Sequence, residues 1–418
     1  MAKLVSYVQS VFGKHLDYDQ SHDLFSHFIW VHHYTAGIGL RRPEDWLIRT
    51  CFRAVGAFFA LQQVVLVRDT FVAIGYPDDR AVRIGMMFLY SFLSMLKLIV
   101  LDACYEHFLQ IRTYLNSRAR RQCGGPEADR FRRDCFKMSV RGILVTELPV
   151  NLVSLAWAFM GKEEYFHFTV DLGSRFQWCS AAIDAIYGFP LIYWNNAAWI
   201  ISFTVIAILQ YFVGELTVIA KSFDTVLENA ERDGEKLQLT GLEREKHFWA
   251  SFDRRFRATV ADYEEFLSMT KILRKLTTFI FLLQVLTTES LLAVTVATSF
   301  NLTFQVATAL AYAIVFLIEC FIVCSLIEAL QDRTEMICET FIHWEWPRWM
   351  DPNSADKTAR IRHVRALVTI STAHTQQRLR FRCGEMFDIS METFRMVLET
   401  CYTLLMYIRT AESARASS

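Results

Sequence analysis

The chain has 418 residues, of which 53% are hydrophobic and 21% are charged, and its mean hydropathy is +0.22. That composition is too apolar for an ordinary soluble protein and favours one continuous membrane unit. Basic and acidic residues both number 44, so the chain lacks the net positive charge that nucleic-acid binding requires, and we expect no nucleic-acid partner.

Seven apolar segments come close to the length of about 20 residues with which an α-helix crosses the hydrocarbon layer. They comprise residues 51–67, 84–101, 143–160, 188–213, 277–300, 302–327 and 389–408. The second contains a single charged residue, Lys97, the fifth contains Glu289 and the sixth contains Glu319. The sequence therefore predicts an all-α membrane protein with seven transmembrane helices.

Basic residues are concentrated in alternate connections, with eight in residues 105–137, eleven in 221–275 and nine in 328–384, against two in 161–187. Because short segments rich in lysine and arginine stay in the cytoplasm, we expect a cytoplasmic N-terminus and an extracellular C-terminus. Residues 221–275 are predicted to be helical extensions, broken near Asp233-Gly234 and Thr240-Gly241. These extensions either pack with each other or with neighbouring subunits, or simply close the fold.

The chain then divides into a cytoplasmic N-terminal segment (1–45), spans one to four (46–220) and a cytoplasmic helical extension (221–275). Spans five and six (276–327), a cytoplasmic anchor segment (328–384), span seven (385–410) and an extracellular tail (411–418) follow.

Span seven carries its polar residues on one side. Glu392, Arg395, Glu399 and Thr403 follow one another at spacings of three, four and four, which forms one stripe on a helix. A charge at membrane depth costs about 2.5–3.5 kcal/mol on insertion scales, so a lipid-facing position is excluded. Two interpretations stay open: a structural interhelical network in which Arg395 neutralises the acids, or an aqueous pore shared by several subunits. In the second, carboxylates favour cations and an apolar ring closes the pore at Leu405, Met406 or Ile408.

The end of the chain contains the runs Cys383-Gly384-Glu385-Met386-Phe387, Ser390, Thr393-Phe394, Val397-Leu398 and Thr400-Cys401-Tyr402-Thr403-Leu404-Leu405, and the segment after span six contains Glu328, Ile337, Phe341 and Trp344. These residues resemble the corresponding segments of insect odorant receptors. Related gustatory receptors usually end with a Thr-Tyr pair, five hydrophobic residues and Gln-Phe. Here Cys401 separates Thr400 from Tyr402, and Ile408-Arg409 replaces Gln-Phe, which favours the odorant branch.

The resemblance implies a subunit of a tetrameric, odorant-gated, weakly selective cation channel in the plasma membrane of a sensory dendrite. The implied partners are a small volatile odorant, the lipid bilayer and a shared olfactory co-receptor, in a heterotetramer, with a homotetramer as the alternative. If the family's motif is aligned at Tyr402, the resemblance implies a pore constriction near Leu405 and Arg409. The polar stripe of span seven instead continues towards Met406 and Thr410. Four copies of Arg409 would repel cations, which favours a mixed tetramer.

In this family the ligand lies between the outer halves of spans two, three, four and six. The resemblance therefore implies a pocket lined by Phe88, Tyr90, Ser91, Phe92, Asn151, Ser154, Trp157, Trp199, Phe203 and Tyr312. Such a wall binds a volatile molecule by removing apolar area from water, at about 25 cal/mol per Å², while Ser154 or Asn151 orients it. The alternative is that these aromatic residues only pack helix against helix.

Catalytic and metal-binding signatures are absent from the sequence. It contains no HExxH, GxSxG, Walker A or GxGxxG motif, and the ten cysteines form no C-x-x-C pair. We therefore expect no enzyme activity, cofactor or metal. The alternatives to an odorant-gated channel are a gustatory-type receptor channel, or a seven-span transporter or metabotropic receptor with Glu392, Arg395 and Glu399 as a buried charge network.

Overall fold

The computed structural model describes residues 18, 23–33, 37–40, 45–74, 80–121, 124–160, 177–187, 190–238, 240–298, 304–344, 362, 369, 379–384 and 386–416. Within them the chain forms eleven helices and one antiparallel hairpin. The helices are α1 (Ser26–Val31), α2 (Trp46–Ala73), α3 (Arg80–Ala103), α4 (Tyr105–Arg120), α5 (Gly125–Met160), α6 (Gln177–Ile186), α7 (Pro190–Asp224), α8 (Val226–Lys236), α9 (Gly241–Thr298), α10 (Phe304–His343) and α11 (Met391–Ala416). The hairpin strands, β1 (Arg382–Cys383) and β2 (Phe387–Asp388), immediately precede α11.

Each of the seven predicted spans coincides with a long helix: α2, α3, α5, α7, α9, α10 and α11 in chain order. Within the described residues, three helical stretches are long and apolar enough to cross a membrane by themselves: Trp46–Ala73, Ala198–Asp224 and Leu310–Phe341. A fourth arises if Met87–Ala103 and Tyr105–Arg120, which meet at a bend of 59°, count as one span. Helix α9 has 58 residues, or about 87 Å at 1.5 Å per residue, so it extends far beyond a hydrocarbon layer of about 30 Å.

The predicted break at Asp233-Gly234 is wrong, because α8 continues through both residues to Lys236. Ser251 and Arg255 of α9 donate hydrogen bonds to the Asp233 carboxylate, and these bonds hold α8 against α9 and keep the pKa of that carboxyl below its usual value. The chain instead reverses after Lys236, where Gln238 has φ 51° and Gly241 has φ 59°. The predicted break at Thr240-Gly241 is confirmed.

Residues 23–33 of the N-terminal segment are packed into the bundle. Phe25 and Phe28 are fully buried, and the ring of Phe25 lies against those of Phe108 and Tyr211 on α4 and α7. His32 is also fully buried, and its Nε2 lies 2.9 Å from the Thr204 hydroxyl. Burial, together with the neighbouring imidazoles His33 and His27, lowers the pKa of His32 to about 3. These described residues are therefore part of the core and include a neutral histidine.

Arg118, Arg132 and Glu215 form a buried ionic triad that ties α4, α5 and α7 together. The Arg118 Nε donates to Glu215 Oε2 at 3.2 Å, and the Arg132 Nε donates to Glu215 Oε1 at 2.7 Å. The Arg118 Nη1 also lies 2.8 Å from the half-exposed Asp262 of α9. All three triad side chains are at most 3% exposed, and Glu215 together with Asp262 balances the two guanidinium charges.

Candidate functional site

Helices α3, α5, α7 and α10 meet at an aromatic cluster formed by Tyr90, Ser154, Trp199, Tyr312 and Phe316. The Trp199 and Phe316 rings stack with centroids 5.3 Å apart and an interplanar angle of 10°, and Tyr90 lies 6.1 Å from Phe316. The Ser154 and Tyr312 hydroxyls are 3.2 Å apart. Four residues of the predicted pocket therefore lie in one cluster with Phe316, which sequence reasoning missed.

Two more of the predicted pocket residues adjoin this cluster. The Phe203 ring stacks on Trp199 at 6.1 Å. Asn151 of α5 exchanges two hydrogen bonds, of 2.9 and 2.8 Å, with Asn196 of α7. This reciprocal amide pair fixes α5 against α7 and occupies polar groups that would otherwise orient a ligand. Trp157 lies on α5, and its side chain is outside the described residues.

Two other predicted residues on α3, Ser91 and Phe88, contact α2 instead. The Ser91 hydroxyl is hydrogen-bonded to the Gln63 amide at 2.9 Å, which joins α2 and α3. Phe88 packs against the cluster containing Leu66 of α2 and stacks on Phe92 at 5.6 Å. Sequence reasoning assigned all four α3 residues to one wall, but Ser91 and Phe88 lie on the side of the helix that contacts α2.

A buried polar network, which sequence reasoning did not assemble, lies next to the aromatic cluster. It consists of Lys97 on α3, Gln284 on α9 and Glu319 on α10, each less than 5% exposed. Lys97 Nζ donates a hydrogen bond to Gln284 Oε1, and Gln284 Nε2 donates one of 2.5 Å to Glu319 Oε2. The Lys97 ammonium is also 5.3 Å from the centroid of the Phe316 ring. The available signal was a lone cation in span two and a lone acid in span six.

The charged stripe of α11, Glu392, Arg395, Glu399 and Thr403, faces away from the helix bundle of its own subunit. The Arg395 Nε donates a 2.8 Å hydrogen bond to Glu399 one turn later, and these side chains are 77% and 60% exposed. The opposite face, with Thr393 and Val397, is buried. Among the described contacts, the stripe therefore forms an intrahelical pair and no interhelical network.

The proposed gate residues lie on the last part of α11. Met406 is 42% exposed. The side chains of Leu405, Ile408 and Arg409 are outside the described residues, so the structure describes only the helical backbone at these positions. Their role in gating stays a prediction.

A family model described as 7tm Odorant receptor matches residues 163–402, more than half of the chain. The chain belongs to the odorant receptor family. The odorant receptor has no match among curated protein sequences. It is similar in fold to the solved structure of the insect olfactory receptor OR5 from Machilis hrabei, with a TM-score of 0.63 and 10% identity over 93% of this chain and 99% of that one. The same receptor in complex with eugenol gives a TM-score of 0.58 and 11% identity over 94% of this chain and 100% of that one.

The family and the fold confirm an all-helical, multi-pass membrane receptor with a seven-span architecture. The family model places the protein among odorant receptors. The family model is that of odorant receptors, in agreement with the C-terminal motif at Thr400, Cys401 and Tyr402. At 10–11% identity, the likeness to the solved receptor concerns the fold alone.

Proposed function

We propose that this odorant receptor is a subunit of a tetrameric, odorant-gated, weakly selective cation channel in the plasma membrane of a sensory neuron. Its N-terminus is cytoplasmic, its C-terminus is extracellular, and a shared co-receptor completes the tetramer. Odorant binds among the outer halves of α3, α5, α7 and α10. Helix α11 lines the pore, with Glu392, Arg395, Glu399 and Thr403 in contact with water.

The exposed charged stripe carries this proposal. Arg395 and Glu399 compensate each other, which leaves Glu392 as a net negative charge on the same face. At membrane depth that face is incompatible with lipid, because each charge there costs about 2.5–3.5 kcal/mol on insertion scales. A water-filled passage among several copies of α11 removes this cost, and its net negative lining attracts cations. An apolar end at Leu405, Met406 and Ile408, flanked by Arg409, then closes the passage.

The aromatic cluster supports a volatile ligand of small size. Trp199, Phe316 and Tyr90 provide apolar rings, and the Ser154–Tyr312 hydroxyl pair provides one polar contact. Small-molecule sites combine apolar walls with a few polar groups in this way. The related OR5 receptor has been solved with eugenol, a small aromatic compound, so we propose compounds of that size as ligands.

The test is current recording in cells that express the receptor with and without a co-receptor, during application of eugenol and a panel of other volatiles. We expect odorant-evoked cation currents that need no G protein. Replacing Glu399 with lysine should lower the permeability ratio of cations to anions, because it changes the charge of the pore wall. The matched control, Glu264→Lys, alters an exposed acid on the predicted cytoplasmic part of α9 and should leave the ratio unchanged. Unchanged permeation in Glu399→Lys receptors at normal surface density would contradict a pore role for α11.

A second candidate, a metabotropic receptor or transporter, is favoured by one observation. A buried charge network does exist in the bundle, although it is formed by Lys97, Gln284 and Glu319 and not by the charged stripe. Buried charges of this kind occur in proton- and ion-coupled membrane proteins. Odorant responses that disappear when G-protein signalling is blocked, without a direct current, would favour this candidate.

A further inference from the structure

The polar network formed by Lys97, Gln284 and Glu319 connects three helices at one point in the bundle. Lys97 is on α3, Gln284 on α9 and Glu319 on α10, and the Ser202 hydroxyl of α7 approaches Gln284 Oε1 at 3.5 Å. In a low-dielectric interior, a polar group that loses its hydrogen-bond partner destabilises the fold strongly. The network therefore resists stretching, and the helices that share it are expected to move together.

One side of this network touches the aromatic cluster. The Lys97 ammonium lies 5.3 Å from the centroid of the Phe316 ring, and that ring is stacked on Trp199. A cation over an aromatic face is held by the ring quadrupole, so the position of the ring and that of the ammonium depend on each other. A molecule that displaces Phe316 or Trp199 must therefore disturb Lys97.

The other side of the network leads to the last helix through α9 and α10. Leu282, two residues before Gln284, packs against Gly384 of the hairpin, where an added Cβ would lie 2.9 Å from its Cδ2. Phe321, two residues after Glu319, contacts Phe394 of α11 with ring centroids 5.5 Å apart. Residues two apart on a helix point about 200° away from each other. Each helix thus presents its network residue on one face and a contact to the hairpin or α11 on the other.

We infer that this polar network transmits ligand binding from the aromatic cluster to the hairpin and α11. Gln284 is the positioning residue of this route, because it links α9 and α10, the helices that contact the hairpin and α11. The inference rests on the proposed channel function and adds its coupling route. Ligand binding shifts Phe316 and Lys97, the hydrogen bonds through Gln284 move α9 and α10 together, and the Leu282–Gly384 and Phe321–Phe394 contacts carry the shift to α11. Small sliding motions of packed helices are a known form of such transitions.

The test compares Gln284→Leu and Gln284→Asn with wild type, each expressed in full length with the co-receptor. The applied probe is whichever volatile of a panel that includes eugenol evokes the largest wild-type current. The readouts are the maximal current per receptor at the surface and the half-maximal concentration. We expect both variants to lower the maximal current by on the order of tenfold, a usual size for coupling between sites. The control is Thr277→Val on the same helix, because Thr277 is buried and donates only to its own helix among the described contacts.

A charge exchange tests the network independently of Gln284. The single change Lys97→Glu places two acids together and should abolish the evoked current. The double variant, Lys97→Glu with Glu319→Lys, restores opposite charges on α3 and α10 and should recover a measurable part of the maximal current. If the network has only a structural role, the double variant should rescue surface expression, and the maximal current per receptor at the surface should not change selectively.

The possible outcomes separate the two proposals. No evoked current from any volatile in wild type would overturn the channel function and this inference with it. Wild-type currents together with normal maximal currents in Gln284→Leu and Gln284→Asn would overturn only the coupling route. If no network variant reaches the surface while Thr277→Val does, the network is structural and the inference is also wrong.

Discussion

Replacing Glu215 with glutamine should be among the most destabilising single changes in the predicted cytoplasmic part of the receptor. The substitution preserves shape but removes the one buried anion that Arg118 and Arg132 share, with hydrogen bonds of 3.2 and 2.7 Å. Removing one member of a buried ionic set typically costs about 3–5 kcal/mol, because the partner charge is left uncompensated. Here two guanidinium groups lose their anion, although Arg118 retains the half-exposed Asp262. We expect a loss at the upper end of that range.

The assay is thermal denaturation of the purified full-length receptor in detergent. At the usual unfolding entropy per residue, a loss of about 3–5 kcal/mol corresponds to a fall of roughly 3–6 °C in melting temperature. The matched control is Glu127→Gln, which breaks an ion pair between α5 and α7, two of the three helices that the triad connects. Glu127 and Lys221 are 78% and 60% exposed, so water screens their charges and this control should lower the melting temperature far less.

A third variant separates charge from packing. In the combination Arg118→Met, Arg132→Met and Glu215→Leu, no buried charge remains, and such replacements are often neutral or stabilising. We expect most of the stability lost in Glu215→Gln to return. Equal and small losses for Glu215→Gln and Glu127→Gln would refute the reasoning that burial makes the triad strong, as would a triple variant less stable than the single one.

Three further predictions concern other parts of the chain. The pKa of the buried His32 imidazole is about 3 in the folded state and about 6.5 in the unfolded state. The contribution of neutral His32 to the free energy of unfolding is therefore fully present above pH 6.5 and is lost as the pH falls towards 3. Acidification from pH 7 to 5 should cost about 2 kcal/mol in chemical denaturation, and His32→Gln should remove this dependence. Gly214→Ala places a methyl group in the Phe131 ring and should cost about 1–3 kcal/mol in thermal melts, whereas Gly56→Ala, with nothing within 4 Å, should be neutral or stabilising. The Trp199 indole N–H is buried with no hydrogen-bond partner among the described residues, so Trp199→Phe should raise the half-maximal concentration of odorants with an acceptor oxygen about tenfold and that of hydrocarbons less. Equal shifts of the half-maximal concentration for both odorant classes would exclude a hydrogen bond from the Trp199 indole N–H to the odorant.

The sequence alone was sufficient to locate the long helices of the predicted spans, because burial in lipid requires long apolar runs whatever the neighbouring helices are. All seven predicted segments lie on helices, including residues 389–408 with their three charged side chains, in α11. The stripe of Glu392, Arg395 and Glu399 was also evident from spacing, since helical periodicity decides which residues share a face. The break at Asp233-Gly234 was predicted wrongly, because bonds from Ser251 and Arg255 of α9 hold that turn in helical form.

Contacts between helices were decided only by the tertiary structure. Lys97 and Glu319 each stood as a lone charge in the sequence, and 222 positions separate them, so no local pattern could pair them or supply Gln284 as the bridge. The same holds for Ser91, which was assigned to the pocket but bonds to Gln63 of α2. Hydropathy and periodicity are local properties of the chain, and they determined where helices form and which face is polar. The rotation of each helix about its axis depends on packing with distant helices, and that rotation determines which residues meet.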